Sequence, residues 1–221
     1  PSRIGVQLDQ NALIAFSTSP QRNILLSLPA QAPAPYNHLA VGWIPAGHPG
    51  QGYNVPHFDF HFYFSPPEQV GAIPFSPAPS PVNPAYVAPF YATDGLVIAQ
   101  MGGHYVDLLA PEYQPGGKLT QTFIYGYYKG QMTFLEPMIA LDYLAAGGTR
   151  VVPVRQPSTF AIAGYYPTEY GFSTQDSIYS IFIGGLTETP LPGTGMVNLS
   201  VRGRAGSGDD TLITGFVIGA R

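Results

Sequence analysis

The segment VPHFDFHFYF, residues 55–64, constrains the fold of this chain more than any other stretch. Every second residue from 58 to 64 is Phe, and the residues between them are His57, Asp59, His61 and Tyr63. Successive side chains of an extended strand point to opposite faces, so this strand has one aromatic face and one polar, titratable face. The aromatic face can pack on a core. The polar face with two histidines and a carboxylate indicates that a small polar functional site lies against this strand.

The rest of the chain favours short strands joined by turns. It contains 26 Gly, 24 Pro, 15 Tyr and 13 Phe in 221 residues, a composition typical of β structure. Two alternating aromatic runs in 119–137 flank Lys129-Gly130 and predict a hairpin with Gly at the turn. We therefore predict an all-β fold, an antiparallel β-barrel of calycin or cupin type, because closure protects the sheet edges.

Helical structure is predicted to be scarce. Residues 4–10 and 12–19 are interpreted as opening strands, and the segment PPEQVGAIPF is predicted to hold one helical turn, because Pro is tolerated at the first position of a helix. One short helix is predicted at 137–148, where Pro stands at the start and Gly at the end.

The domain organisation follows from a Pro/Gly-rich segment near the end of the chain. We predict a β-barrel domain at 1–189, a linker at 190–195 and a C-terminal β-hairpin at 196–221. The hairpin consists of two apolar runs around the polar turn GRAGSGDD. Because about 25 residues bury too little surface to fold alone, it should pack on the main domain.

Composition excludes several classes of protein. Charged residues make up 10% of the chain and the net charge is -4, which argues against nucleic acid or anionic lipid as a partner. No apolar run reaches the ~18–20 residues of a membrane span. The absence of cysteine excludes disulfides, thiolate metal ligands and a cysteine nucleophile.

The candidate metal ligands are His57, Asp59, His61, His104 and Glu136. Imidazole and carboxylate groups form the usual ligand set when thiolates are absent, with zinc as the default ion and copper or iron suited to oxidative chemistry. Residues two apart on a strand lie ~6.6 Å from each other, so Asp59 can share an ion with His57 or with His61. His57 and His61 are ~13 Å apart and need a bend to do so.

Three separate segments are therefore predicted to meet at one ion. His61 and His104 form the centre of the set, with Glu136 and either His57 or Asp59 completing it. Gly102 and Gly103 allow close backbone approach before His104, and Glu136 is expected to end a strand at a barrel rim. The set is similar to a cupin centre in composition, although the cupin His-x-His spacing is absent.

Other interpretations of the histidines stay open. His57 and His61 can form a hydrogen-bonded cluster with Asp59 that holds no metal. His48, between Gly47 and Pro49, is expected to be a loop histidine that makes a backbone hydrogen bond. His38 is expected to begin a strand and to have no functional role.

Three motifs carry a resemblance to a known family. GHPGQGYNVPHFDFHFYF, MGGHYVD and QTFIYGYYKGQMTFLEPMIALDYL appear in that order. Over roughly residues 4–185 the chain resembles a family of exported bacterial proteins of unknown function that are related to a sigma-factor-regulated Thermus protein. The tail resembles a short C-terminal motif of secreted bacterial proteins. The resemblance implies a secreted or periplasmic β domain and implies no reaction.

Two classes of function follow from the sequence. The first is a secreted metal-binding β-barrel, which includes the case of a metal-dependent enzyme acting on a small exported substrate. The second is a non-catalytic protein that binds a small-molecule ligand or builds a homo-oligomer outside the cell. No motif in the sequence identifies a substrate.

Overall fold

Strands make up most of the regular structure, as predicted. The computed structural model describes residues 3–50 and 52–189, and an all-β fold is confirmed for this part of the chain. The strands are β1 Ile4–Asp9, β2 Arg22–Ser27, β3 His38–Ile44, β4 His57–Tyr63, β5 Tyr91–Thr93, β6 Gly103–Asp107, β7 Gln121–Tyr128, β8 Gln131–Ala140, β9 Thr149–Pro153, β10 Gly164–Tyr166, β11 Glu169–Gln175, β12 Ile178–Gly184 and β13 Thr187–Thr189.

Two antiparallel sheets pack face to face around one aromatic core. The larger sheet has the order β2-β3-β4-β8-β7-β6-β5 and the smaller β1-β12-β11-β9, while β10 pairs with β13. Phe58, Phe60 and Phe62 of β4 are fully buried between the sheets. Contacts such as Phe123 against Tyr170, with ring centroids 5.2 Å apart, join the two layers. This is the aromatic face that the alternation in 55–64 predicted.

The larger sheet is open. Its edge strands β2 and β5 do not pair with each other in the described residues, and β1 and β9 form the edges of the smaller sheet. The predicted barrel closure is therefore not seen in this part of the chain, and the two layers form a sandwich. Two of the four edges are short or exposed: β5 has 3 residues, and all five residues of β9 are exposed.

The prediction of a strand at 12–19 was wrong. Residues Gln10–Ser17 form helix α1, which begins after an N-cap in which the Asp9 side chain accepts a hydrogen bond of 2.6 Å from the Ala12 backbone N–H. Leu13 and Phe16, three residues apart on one face, are buried. A short apolar run fits a strand and a helix equally well, and here the cap decides in favour of the helix.

The prediction of a helix beginning at Pro137 was also wrong. Strand β8 continues through Pro137 to Ala140, and only Leu141–Ala145 form a helix, α3. Pro137 lies inside the sheet opposite Phe123 of β7. Along its other edge β8 pairs with β4, and this ladder of hydrogen bonds is interrupted between Asp59 and Phe62 of β4. Pro137 lies opposite this gap and has no backbone N–H with which to donate a hydrogen bond. The predicted helical turn is present as α2, Pro67–Gly71, so the described residues contain three α-helices where one was expected.

The predicted hairpin at Lys129-Gly130 is confirmed. Strands β7 and β8 pair from Tyr128 and Gln131 onward, and both turn residues have positive φ, 51° at Lys129 and 77° at Gly130. Two consecutive residues with positive φ match the twist of the flanking strands. The hairpin thereby aligns β7 with β8, the strand that carries Glu136, with one register shift between Gly126 and Tyr127.

The second face of the larger sheet is covered by loops and by α2. Small apolar clusters lie under this cover, one around Tyr63, Val70 and Phe134 and one around Leu119 and Met138. The polar face of β4 is enclosed between them, so its titratable groups are shielded from water. The described residues contain no helix that is both long and apolar enough to cross a membrane. The predicted linker at 190–195 and hairpin at 196–221 lie outside the described residues.

Candidate metal centre

Strand β4 supplies the polar residues at the centre of the site. His57, Asp59 and His61 are on one face and are all buried, with 0%, 4% and 3% of their surface exposed. The antiparallel register brings β8 alongside, with Asp59 opposite Met138. Glu136, two residues before Met138, shares this face and is 2% exposed. Fully buried histidines and carboxylates require partners.

The first group consists of His61, His104 and Glu136, one residue from each of β4, β6 and β8. The Nε2 atom of His61 lies 3.3 Å from Oε1 of Glu136, and the Nε2 atom of His104 lies 3.6 Å from Oε2. One potential ligand atom from each residue lies within 4.8 Å of the other two. Glu136 thus faces both histidines with its two oxygens.

These separations fit ligands that share a metal ion. Bonds of about 2.0–2.1 Å at tetrahedral angles put neighbouring ligand atoms about 3.3 Å apart. In the described structure His61 Nε2 and Glu136 Oε2 are buried and have no hydrogen-bond partner. Unpaired buried nitrogen and oxygen acceptors are costly, and a cation between them would satisfy them together.

Burial dominates the electrostatics of the first group. It lowers the pKa of His61 to about 3 and the pKa of His104 to about 4. Burial also raises the pKa of Glu136 well above its usual range, and the nearby carboxylate of Asp59 adds to the shift. Without a cation, the shifts of all three groups favour their neutral forms.

Aromatic rings fix the orientation of the two histidines. The Tyr63 ring stacks on His61 with an interplanar angle of 7°. The Phe134 ring contacts both histidines, with centroids 5.1 Å from His61 and 5.4 Å from His104. Asp94 lies behind His104, with Oδ2 3.9 Å from the Nδ1 atom. A carboxylate at the outer nitrogen is the usual arrangement behind a metal-binding imidazole.

A second group lies next to the first along β4. It consists of His48, His57 and Asp59, whose potential ligand atoms also lie within 4.8 Å of one another. The Asp59 carboxylate has Oδ1 3.2 Å from His57 Nε2 and Oδ2 3.3 Å from His48 Nε2. Burial by itself raises the pKa of Asp59, but the contacts with His48 and His57 outweigh it and hold the pKa well below its usual range. Asp59 is therefore ionised, unlike Glu136.

The structure brings together three of the five predicted ligands and separates the other two. His61, His104 and Glu136 meet as predicted. His57 and Asp59 do not complete that set, because the regular strand β4 directs them to the second group with His48. The expectation that Glu136 ends a strand was wrong, since β8 extends beyond Pro137 to Ala140. His38 begins β3 and belongs to neither group.

Sequence reasoning did not assign His48 to the site. Its backbone N–H donates to the Tyr53 carbonyl at 3.0 Å, as expected for a loop histidine, but its ring reaches Asp59. Gly47, with φ of 71°, turns the chain after β3 so that the loop returns over the sheet. The available signal was the position of His48 in a turn-rich connection between two strands, one of which carries His57 and Asp59.

Comparison with known protein families, with curated proteins and with solved structures finds no match to this chain. Buried His, Asp and Glu groups that could hold a metal ion are present in a fold built mainly of antiparallel sheets.

Proposed function

We propose that this protein binds a transition-metal ion through His61, His104 and Glu136. The observation that carries the proposal is the arrangement of Nε2 and carboxylate oxygen atoms at 3.3 and 3.6 Å, buried and in part without hydrogen-bond partners. Such separations are long for charge-assisted hydrogen bonds of about 2.7–2.9 Å and suit atoms bound to a common ion.

The ligand set restricts the choice of metal. Two imidazoles and one carboxylate suit zinc, which is the default, and also match the triad that binds iron in oxygenases. Copper is compatible with the nitrogen ligands. Three protein ligands leave a coordination position for water or substrate, the feature that separates catalytic from structural zinc sites. This supports a metal-dependent reaction on a small substrate as the activity to test.

A second function has its own support in the electrostatics. Neutral His61 and protonated Glu136 form a consistent pair without metal, because the Glu136 carboxyl O–H can donate a hydrogen bond to Nε2 of His61. In that case the cluster is a structural element of a non-catalytic protein that binds a small-molecule ligand or assembles into an oligomer.

The location of the protein is part of the proposal. The motifs around HFDFHFY, GGHYVD and TFLEPMI support a secreted or periplasmic protein through the family that they resemble. Fractionation of cells that produce the protein from its native gene would test this. Recovery in the cytoplasm alone would contradict it.

Elemental analysis separates the two functions. The purified chain, exposed to zinc, copper and iron in turn and then freed of excess ion, is expected to retain at least about one ion per chain. His61→Ala and His104→Ala should each lower the retained metal. His38→Gln is the matched control, since His38 is also buried but belongs to neither group.

A chain that retains none of the three metals would overturn the metal proposal and support the hydrogen-bonded cluster. Unchanged metal content in both alanine variants would also exclude the first group as the binding site. Circular dichroism of each variant shows whether the fold persists, so that loss of metal is not confused with unfolding.

A further inference from the structure

The second group has the features of a metal site in its own right. His57 Nε2 and Asp59 Oδ1 are 3.2 Å apart, and both are buried atoms without hydrogen-bond partners. His48 faces the other carboxylate oxygen at 3.3 Å. The rings of His48 and His57 lie side by side, with centroids 4.8 Å apart. The three residues thus surround a common point on the polar face of β4.

The ring of His57 is held by a backbone contact on its outer side. Its Nδ1 atom lies 2.7 Å from the Val55 carbonyl oxygen, and a carbonyl can only accept, so Nδ1 carries a hydrogen. Nε2 is then the ring nitrogen that faces the Asp59 carboxylate and is available to a cation. A backbone carbonyl behind the outer nitrogen is also the usual support of a metal-binding histidine.

We propose that His48, His57 and Asp59 bind a second divalent transition-metal ion, beside the first and without sharing a ligand with it. Two ligands come from the rigid strand β4 and are buried, while His48 comes from a loop and has 44% of its side chain exposed. His48 is therefore the ligand that can detach from the ion, and the ion enters and leaves the site on the solvent-exposed side where His48 lies.

The two sites should influence each other. Asp59 and His61 are successive residues on one face of β4, so the ions would lie roughly 7 Å apart. Each ion with one carboxylate ligand keeps a net charge near +1, and two such charges repel across a partly buried environment. The second ion should therefore bind about ten- to a hundredfold more weakly than it would alone.

A titration of the metal-free full-length chain with zinc tests this proposal. Wild type should take up about two ions per chain in two resolved steps. His48→Ala should take up about one, at the affinity of a single site free of its neighbour. Asp59→Asn, which keeps the shape of the side chain, should behave in the same way, and His38→Gln should retain both steps.

The outcomes separate this proposal from the first one. A wild type that binds a single ion, lost in His61→Ala but kept in His48→Ala, would overturn the second site and leave the first intact. Two steps that persist in His48→Ala and Asp59→Asn would also overturn it. A single ion lost in His48→Ala and kept in His61→Ala would support the second site and exclude the first.

Discussion

Glu136 is the residue on which the first group depends. It lies opposite two imidazoles and is 2% exposed, and burial holds its pKa well above its usual range. A metal ion needs the ionised carboxylate, whereas the metal-free fold needs the neutral acid. The same residue therefore has opposite preferred charges in the two states.

Replacing Glu136 by glutamine should separate these two requirements. Glu136→Gln keeps the size of the side chain but removes the anionic ligand, so zinc affinity of the first group should fall by more than about a hundredfold, since loss of outer partners alone costs 10–100-fold. Near pH 7 the metal-free variant should unfold no more easily than wild type, because glutamine avoids the cost of keeping a carboxyl protonated in the buried site. Zinc titration and urea unfolding in the presence of a chelator measure the two effects. Equal zinc affinity in the two proteins would exclude Glu136 as a ligand.

The pKa shifts of the buried groups determine whether the metal-free protein gains or loses stability as the pH changes. His61 and His104, with pKa values of about 3 and about 4, stay neutral in the fold, while histidines of the unfolded chain take up protons below pH ~6.5. Stability is therefore lost as the pH falls below ~6.5, by about 1.4 kcal/mol per pH unit for each histidine.

Glu136 contributes with the opposite sign. Its raised pKa removes stability as the pH rises above ~4.3, where the unfolded chain loses this proton and the fold keeps it. Because two histidines outweigh one carboxyl, stability should still rise with pH between about pH 4.5 and 6.5. Urea unfolding across this range measures the slope. Glu136→Gln should make the slope steeper, and a flat profile in wild type would contradict these directions of pKa shift.

At the scale of elements, the site depends on how closely strands β7 and β8 approach. The Phe134 ring lies over Gly126 of the neighbouring strand, where an added Cβ would lie 2.1 Å from the ring. The same ring contacts His61 and His104. The glycine therefore leaves the space that lets Phe134 hold both histidines in position.

Gly126→Ala should disturb the site from the opposite side of the ring. The methyl group must displace Phe134, which should lower the free energy of unfolding by roughly 1–3 kcal/mol and weaken zinc binding. Gly71→Ala is the matched control, because a Cβ at that position meets nothing within 4 Å. Thermal unfolding and zinc titration of both variants make the comparison. Unchanged stability and affinity in Gly126→Ala would show that the ring does not position the histidines.

At the scale of the molecule, candidate ligands from four segments meet only when the sheet and its loop cover have formed. His48 comes from the loop before β4, and the others come from β4, β6 and β8. An unfolded chain does not present this arrangement, so metal binding should add directly to the free energy of folding.

Metal removal should therefore lower global stability by a predictable amount. With zinc in free excess of about a hundred times its dissociation constant, each occupied site should stabilise the fold by about 2.7 kcal/mol. Differential scanning calorimetry with zinc and with chelator measures the change in melting temperature. The His61→Ala, His48→Ala double variant should show no zinc-dependent shift, and a shift as large as in wild type would place the stabilising ion elsewhere.

The alternation in residues 55–64 determined a strand with a core face and a polar face, and it identified three of the six candidate metal ligands. This worked because side-chain direction in a strand depends only on local backbone geometry. The hairpin at Lys129-Gly130 was predictable for the same reason. The helix at Gln10–Ser17 was not, because a short apolar run is ambiguous without its cap.

Only the tertiary structure decided which of the two candidate metal sites each of these side chains belongs to. The pairing of β4 with β8 and the course of the loop over the sheet separate Asp59 and His57 from His61 and bring His48 to them. Register and loop closure are set by contacts between residues far apart in sequence, which no local pattern encodes. For the same reason the sequence determined the β class, whereas the open edges of the two sheets became apparent only in the folded chain.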